Sequence, residues 1–147
     1  MEVADQMEIL LVEDNPLDAE MTLRGLKDQN LDSHCVWVKD GQQALDYIFR
    51  KGIYSDRTNS DPRLILLDLK MPRVDGIEVL RGIKADEKTK RIPVVVMTSS
   101  QEETDIVASY DLGANSYVVK PIDFKGLMSV ARQAGLYWVG VNRPAQR

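Results

Sequence analysis

The stretch LILLDLKMP (residues 64–72) runs four apolar residues straight into Asp68, and then into Leu69, Lys70, Met71 and Pro72. So short and so fully apolar a run suits a strand buried on both faces, as in a parallel sheet. Its ending in a carboxylate admits two readings. Asp68 is either a turn former or a charge that the strand holds at the edge of the core, where chemistry takes place.

The flanking sequence supplies the fold. EILLV (8–12) and IPVVVMTSS (92–100) are apolar runs of the same kind, HCVWV (34–38) is β-rich, and SYVVKP (116–121) makes a fifth strand beside RLILLD (63–68) as the third. Between them lie amphipathic segments. In 15–30, Asn15 can cap, Pro16 suits the first helical position, and Ala19, Thr22, Leu23 and Leu26 share a face. In 40–52, Ala44, Leu45, Ile48 and Phe49 form the stripe and Gly52 stops the helix. Segment 75–90 carries Ile77, Leu80 and Ile83 inward, and its end KADEKTKR (84–91) reads as a solvated helix end and loop. Helix 102–114 stops at Gly113, and 123–140 is the last helix. IYSDRTNSDP (53–62) is polar and turn-rich, a long loop for a connection that usually takes about 2–6 residues. Strand and helix alternate five times. That pattern implies an α/β doubly wound five-stranded parallel sheet, in the flavodoxin-like order 2-1-3-4-5.

Composition is compatible with this. The chain has 147 residues, 44% hydrophobic and 29% charged, which suits one globular domain with a real core. Residues 7–136 are expected to form the domain, and 137–147 an apolar extension and tail, with no room for a separate output domain. The formal net charge of −4, without a basic stretch, argues against a nucleic-acid binder driven by phosphate contacts. No apolar run approaches the roughly 20 residues that span a bilayer, and the start shows no signal peptide. The single cysteine, Cys35, allows no internal disulfide and fits a reducing compartment. A cytoplasmic location is expected. His34 and Cys35 read as structural, since one His and one Cys do not make a metal site.

In a doubly wound sheet, ligands bind beyond the carboxyl ends of the strands. Glu13 and Asp14 end the first strand, Asp68 the third, Thr98 the fourth (with Ser99 and Ser100 behind it), and Lys120 the fifth. Three carboxylates therefore converge with one ammonium and one hydroxyl. Carboxylates so placed repel each other, and a hard divalent cation relieves that. Oxygen ligands with room for waters suit Mg2+. A carboxylate left free to attack a phosphoryl donor would form an acyl phosphate, with the metal and lysine neutralising the transferring group.

LLVEDNP, LILLDLKMPRVDG, VVVMTSS and SYVVKP together resemble the receiver domain of two-component response regulators, over residues 7–136. Each piece is weak alone; four in order, each at a strand end, are specific. The resemblance implies that Asp68 is the phosphoacceptor. Asp14 and Glu13 would hold Mg2+, Asp14 more directly, with the main-chain carbonyl of Lys70 as a further ligand. Thr98 would bond a phosphoryl oxygen and Lys120 would pair with the phosphoryl group. Tyr117 would be the aromatic residue whose rotamer reports the state of Thr98, and the Lys120–Pro121 bond would be cis. Lys70 stands at a position where phosphoryl lifetime is tuned, by reaching the phosphate or by obstructing water. The resemblance makes the protein a signalling phospho-switch rather than a conventional enzyme. Its donor would be a sensor histidine kinase, and its signal would pass by contact with an unknown downstream protein or by onward phosphotransfer. Phosphorylation would bias a surface around the fourth helix and fifth strand.

Rival readings lack their signatures. A flavodoxin-type protein needs a Ser/Thr/Gly-rich phosphate cradle after the first strand, where this chain has EDNP. A phosphatase of the haloacid-dehalogenase type needs D-x-D there, where this chain has EDN. A receiver-like binding module working without phosphorylation would not need the full set of acids, Thr and Lys.

In the last helix, Phe124, Leu127, Met128, Ala131, Ala134 and Trp138 make a core-facing stripe at helical spacing. Val130, Tyr137 and Val141 lie about 100° round it and are candidates for a homodimer interface. The long KGIYSDRTNSDP loop and the aromatic tail also resemble the small single-domain regulators that serve bacterial, especially cyanobacterial, phytochrome kinases.

Overall fold

The computed structural model describes residues 9–145. The expected domain start at residue 7, the first residue of the expected strand 8–12, most of the N-terminal segment read for a signal peptide, and the tail's residues 146–147 lie outside the described residues. The order is β1 (Ile9–Val12), α1 (Pro16–Leu26), β2 (Cys35–Val38), α2 (Gly41–Phe49), β3 (Leu64–Leu67), α3 (Gly76–Ala85), β4 (Val94–Thr98), α4 (Glu103–Leu112), β5 (Ser116–Val119) and α5 (Phe124–Gly135). The strands form one parallel sheet in the order β2-β1-β3-β4-β5, as expected.

Alternation of side chains along each strand divides the core in two. Leu10, Val12, Ile65, Leu67, Val94 and Val96 face a layer built from α2 and α3, with Ala44, Ile48, Val79, Leu80 and Ile83 buried against them. Ile9, Leu11, Leu64, Leu66, Val95 and Met97 face α1 and α5 through Ala19, Leu26 and Leu127. The three inner strands are buried throughout, whereas β2 and β5, at the edges, are mostly half-exposed.

Helix starts follow their caps. Asn15 Oδ1 accepts from the N–H groups of Leu17 and Asp18, with Pro16 at the first position. Asp40, Asp75 and Asp123 cap α2, α3 and α5. The ends are shorter than the periodicity suggested. The first helix stops at Leu26 and continues as a 3-10 turn over Lys27–Gln29, with Asn30 in the left-handed region at φ 59°. The third stops at Ala85, because the turn that follows closes on itself: Thr89 Oγ1 donates to the Ile83 carbonyl at 2.7 Å, and Lys84 Nζ donates to the carbonyls of Lys90 and Ile92. Ala85, Glu87, Lys88, Lys90 and Arg91 are exposed, as expected of a solvated end, while buried Thr89 and half-buried Lys84 pin it to the helix.

The long loop is ordered by Arg57. Its guanidinium lies 4.2 Å over the Tyr47 ring and donates to the carbonyls of Tyr47 and Asn59.

Three expectations fail. Among the described residues there is no cis peptide bond, so Lys120–Pro121 is trans, the lower-energy state of an X–Pro bond. Phe124 is 48% exposed rather than core-facing, because it is the first residue of α5 and projects beyond the end of the sheet. Val130 packs against the α1/α5 side of the core, while Tyr137 and Val141 are exposed, together with Leu136. Val130 lies on α5 before the pitch changes, so its side chain joins the core, while the exposed Tyr137 and Val141 belong to the segment Leu136–Val141, which winds as a π-helix.

Gly76 begins α3 hard against the acid-bearing strand end. A Cβ there would overlap the Asp68 carbonyl oxygen and lie 2.6 Å from Leu69 Cα. Gly76→Ala is expected to destabilise the protein by about 1–3 kcal/mol through overpacking, read as a lowered urea midpoint. An unchanged midpoint would show that this approach is not tight.

Candidate functional site

Three of the strand-end residues are each held by one further bond that continues the sheet ladder. Glu13 N–H donates to Val38 O at 3.1 Å, Asp68 N–H to Val12 O at 3.0 Å, and Lys120 N–H to Thr98 O at 2.8 Å. The backbone of the site is thus as fixed as the sheet. Trp37 Nε1 adds a 2.7 Å bond to the Glu13 carbonyl.

Of the expected residues, Glu13, Asp14, Asp68 and Lys120 meet through their side chains. Oxygens of Glu13, Asp14 and Asp68 lie within 4.8 Å of one another. Glu13 and Asp68 are buried and Asp14 is exposed. Lys120 Nζ contacts Glu13 Oε1 at 2.7 Å, Asp18 Oδ2 at 2.9 Å and Asp68 Oδ2 at 3.2 Å. The other Glu13 oxygen accepts the Asn15 N–H at 3.1 Å. Thr98 is fully buried at the end of β4, and its Oγ1 accepts the Ser100 N–H at 3.4 Å.

Burial pushes the Glu13 carboxyl up to about 8, with the Asp68 charge adding to it against the opposing pull of Lys120. Burial disfavours the Lys120 ammonium, but its hydrogen bond to Glu13 and the Asp68 charge outweigh that and raise its pKa. The site thus holds more negative charge than one ammonium satisfies. An oxygen-only donor set with a buried acid driven toward protonation fits a hard divalent cation.

Lys70 turns away from Asp68. Its Nζ pairs with Asp105 Oδ2 of α4 at 3.2 Å, and its main-chain N–H lies 3.4 Å from Asp68 Oδ1. The same Asp105 oxygen accepts the Ser100 hydroxyl at 2.6 Å, and the Tyr117 hydroxyl donates to the Ser100 carbonyl at 3.0 Å. The Ser100 hydrogen bond, with Lys70, holds the Asp105 carboxyl below its ordinary range. One chain of contacts therefore runs from the residue beside Asp68 to the first turn of α4 and to Tyr117.

Two members of the site were not foreseen. Asp18 had little signal, as an acid in the first turn of α1. Asp105 had little, since an acid in a helix's first turn is commonplace.

Cation binding requires the carboxylate form. Burial and the Asp68 charge push the Glu13 carboxyl up to about 8, whereas a bound cation would stabilise the charged form at lower pH. Affinity for Mn2+ should therefore be full above about pH 8 and fall as pH drops below it. Titration calorimetry in buffers of different ionisation heat should show proton release below pH 8. A pH-independent affinity between pH 6 and 9 would contradict this.

Comparison with known proteins agrees with the geometry. The response regulator receiver domain matches residues 9–132. The chain is 39% identical over 143 residues to a probable methanogenesis regulatory protein, FilR2, of Methanothrix harundinacea, covering 97% of this chain and 90% of that protein. It is 39% identical over 131 residues to the response regulator Rcp1 of Synechocystis, covering 89% and 88% respectively. The crystal structure of the Mn2+-bound form of Rcp1 superposes with a TM-score of 0.87 at 36% identity, covering 95% of this chain and 99% of that one. The phosphorylated cyanobacterial phytochrome response regulator RcpA superposes with a TM-score of 0.89 at 37% identity, covering 96% and 99%. With the sheet order, the strand-end acids and the lysine in place, this chain belongs to the response regulator receiver domain family.

Proposed function

We propose that the protein is a phospho-switch that takes a phosphoryl group from a sensor histidine kinase onto Asp68, and is not a conventional enzyme. The observation that carries this is Asp68 itself. It is a buried carboxylate at the end of a central strand, paired with Lys120 and grouped with two further acids. An Asp68 oxygen attacks phosphorus, the P–N bond to the donor imidazole breaks, and the imidazole leaves with the electron pair and a proton. Glu13, Asp14, Asp68 and the Lys70 carbonyl would hold Mg2+, which supplies charge neutralisation to the transferring group. Lys120 would bond one phosphoryl oxygen and Thr98 another.

Conversion of Asp68 to the acyl phosphate would recast the contacts of Thr98, Ser100 and Tyr117, and with them the first turn of α4. Val107 and Tyr110 on α4 and Val119 on β5 are exposed apolar side chains on the face that this movement would alter. Such a face suits a downstream protein. Rcp1 and RcpA point to a phytochrome as the kinase, as RcpA is described as a phytochrome response regulator. The exposed Leu136, Tyr137 and Val141 favour a homodimer built on the C-terminal π-helix.

Incubation with acetyl phosphate and Mg2+ should add one phosphoryl group by intact mass, and Asp68→Asn should abolish it. Equal labelling of Asp68→Asn would overturn the assignment. Replacing Tyr137 and Val141 by Asp should shift a dimer toward monomer in sedimentation. An unchanged profile would reject that interface.

A further inference from the structure

We propose that Asp18 is a positioning residue for Lys120 in phosphoryl transfer, an inference that rests on the reading of Asp68 as acceptor. An ammonium has three N–H donors, and Lys120 Nζ meets three carboxylates, Glu13 at 2.7 Å, Asp18 at 2.9 Å and Asp68 at 3.2 Å. Asp18 and Asp68 accept hydrogen bonds from Nζ, while Glu13 faces it as an ion pair, and of the three the contact to the acceptor is the longest. When Nζ turns to a phosphoryl oxygen, these contacts must rearrange.

The three partners are not equivalent. Glu13 and Asp68 belong to the oxygen group within 4.8 Å that a cation would claim, and Asp18 does not. Acyl phosphate formation takes the negative charge off the Asp68 carboxylate and places it on the phosphoryl oxygens. Asp18 is then the anchor that neither the cation nor the phosphoryl group competes for. It holds Nζ at the mouth of the site while the other two contacts exchange.

Among the described residues, the Asp18 carboxylate pairs with Lys120, while its main chain serves the helix. Capping of α1 falls to Asn15, which accepts the N–H groups of Leu17 and Asp18. The main-chain carbonyl of Asp18 accepts the Thr22 hydroxyl at 2.8 Å. The carboxylate is left to cross to a lysine 102 residues away in sequence. Its base is rigid, because Pro16 and the Asn15 cap fix the first turn. The plainer role for Asp18 is a favourable charge at a helix N-terminus, which would support stability and leave the reaction alone.

The test separates them. Labelling by acetyl phosphate and Mg2+ is followed at about 0.15 M salt, where charges beyond roughly 8 Å are screened, for the wild type, Asp18→Asn, Asp18→Glu, Lys120→Met and Asp18→Asn/Lys120→Met. Loss of positioning should slow Asp18→Asn about tenfold. Asp18→Glu should recover most of the rate, and Asp18→Asn should cause no further slowing when Lys120 is Met. A rate for Asp18→Asn at or above that of the wild type, or equal slowing in both backgrounds, overturns the proposal. The NMR signal of the Lys120 ammonium in the unmodified protein gives a second readout that needs no chemistry. It should be ordered in the wild type and averaged by rotation in Asp18→Asn, and an unchanged signal overturns the proposal as well. Failure of the wild type to label would count against Asp68 as acceptor, while the ammonium signal still decides the role of Asp18.

Discussion

The structure depends on one ammonium group. Lys120 Nζ sits among Glu13, Asp18 and Asp68, with its own side chain and those of Glu13 and Asp68 less than a tenth exposed. Breaking a buried ion pair by removing one partner costs about 3–5 kcal/mol, because the remaining charge is left uncompensated. Here the imbalance is already present, since Asp14 adds a further acid to the group. Under the proposed function, this excess negative charge lies where a cation would bind and Asp68 would take a phosphoryl group. Stability and function pull in opposite directions at this point, and Glu13, driven toward its protonated form, is the residue that shows it.

Geometry at the strand ends makes the arrangement reproducible. The site residues leave the sheet on ladder bonds to Val38, Val12 and Thr98, so their Cα positions are set by strand register. From this rigid floor one chain of polar contacts rises through Lys70, Asp105 and Ser100 to Tyr117. Those partners lie on the β4–α4 segment and on β5, beside the exposed apolar side chains of α4. A change of charge at Asp68 thus has a short physical route to a surface.

Much of this was legible in the sequence. The runs ILLV and LILL are apolar throughout, VVVM is apolar up to Thr98, and all three became inner strands, whereas the half-exposure of CVWV and SYVV comes from their place at the sheet edges. Glu13, Asp14, Asp68, Thr98 and Lys120 were readable because the topology places strand ends together. Side chains arriving from helices were not. Asp18 and Asp105 come from first turns, where an acid is ordinary, and only packing aims them at the site. The helix ends were misjudged where tertiary bonds stopped them, as Thr89 and Lys84 do for α3. In the last helix the misses are Phe124, its exposed first residue, and Val130, which packs on the core, and the change of pitch over Leu136–Val141 leaves no mark in a 3.6-residue count.

The central claim, that this charge cluster is built to exchange its ion pairs around an acyl phosphate on Asp68, is tested most directly by a crystal structure with Mg2+ and beryllofluoride, a mimic of the phosphoryl group. The account predicts BeF3– on an Asp68 oxygen, with Thr98 Oγ1 and Lys120 Nζ bonded to its fluorides and Lys120 still held by Asp18. Beryllofluoride bound away from Asp68, or bound there with Lys120 keeping all three carboxylate contacts, would contradict it.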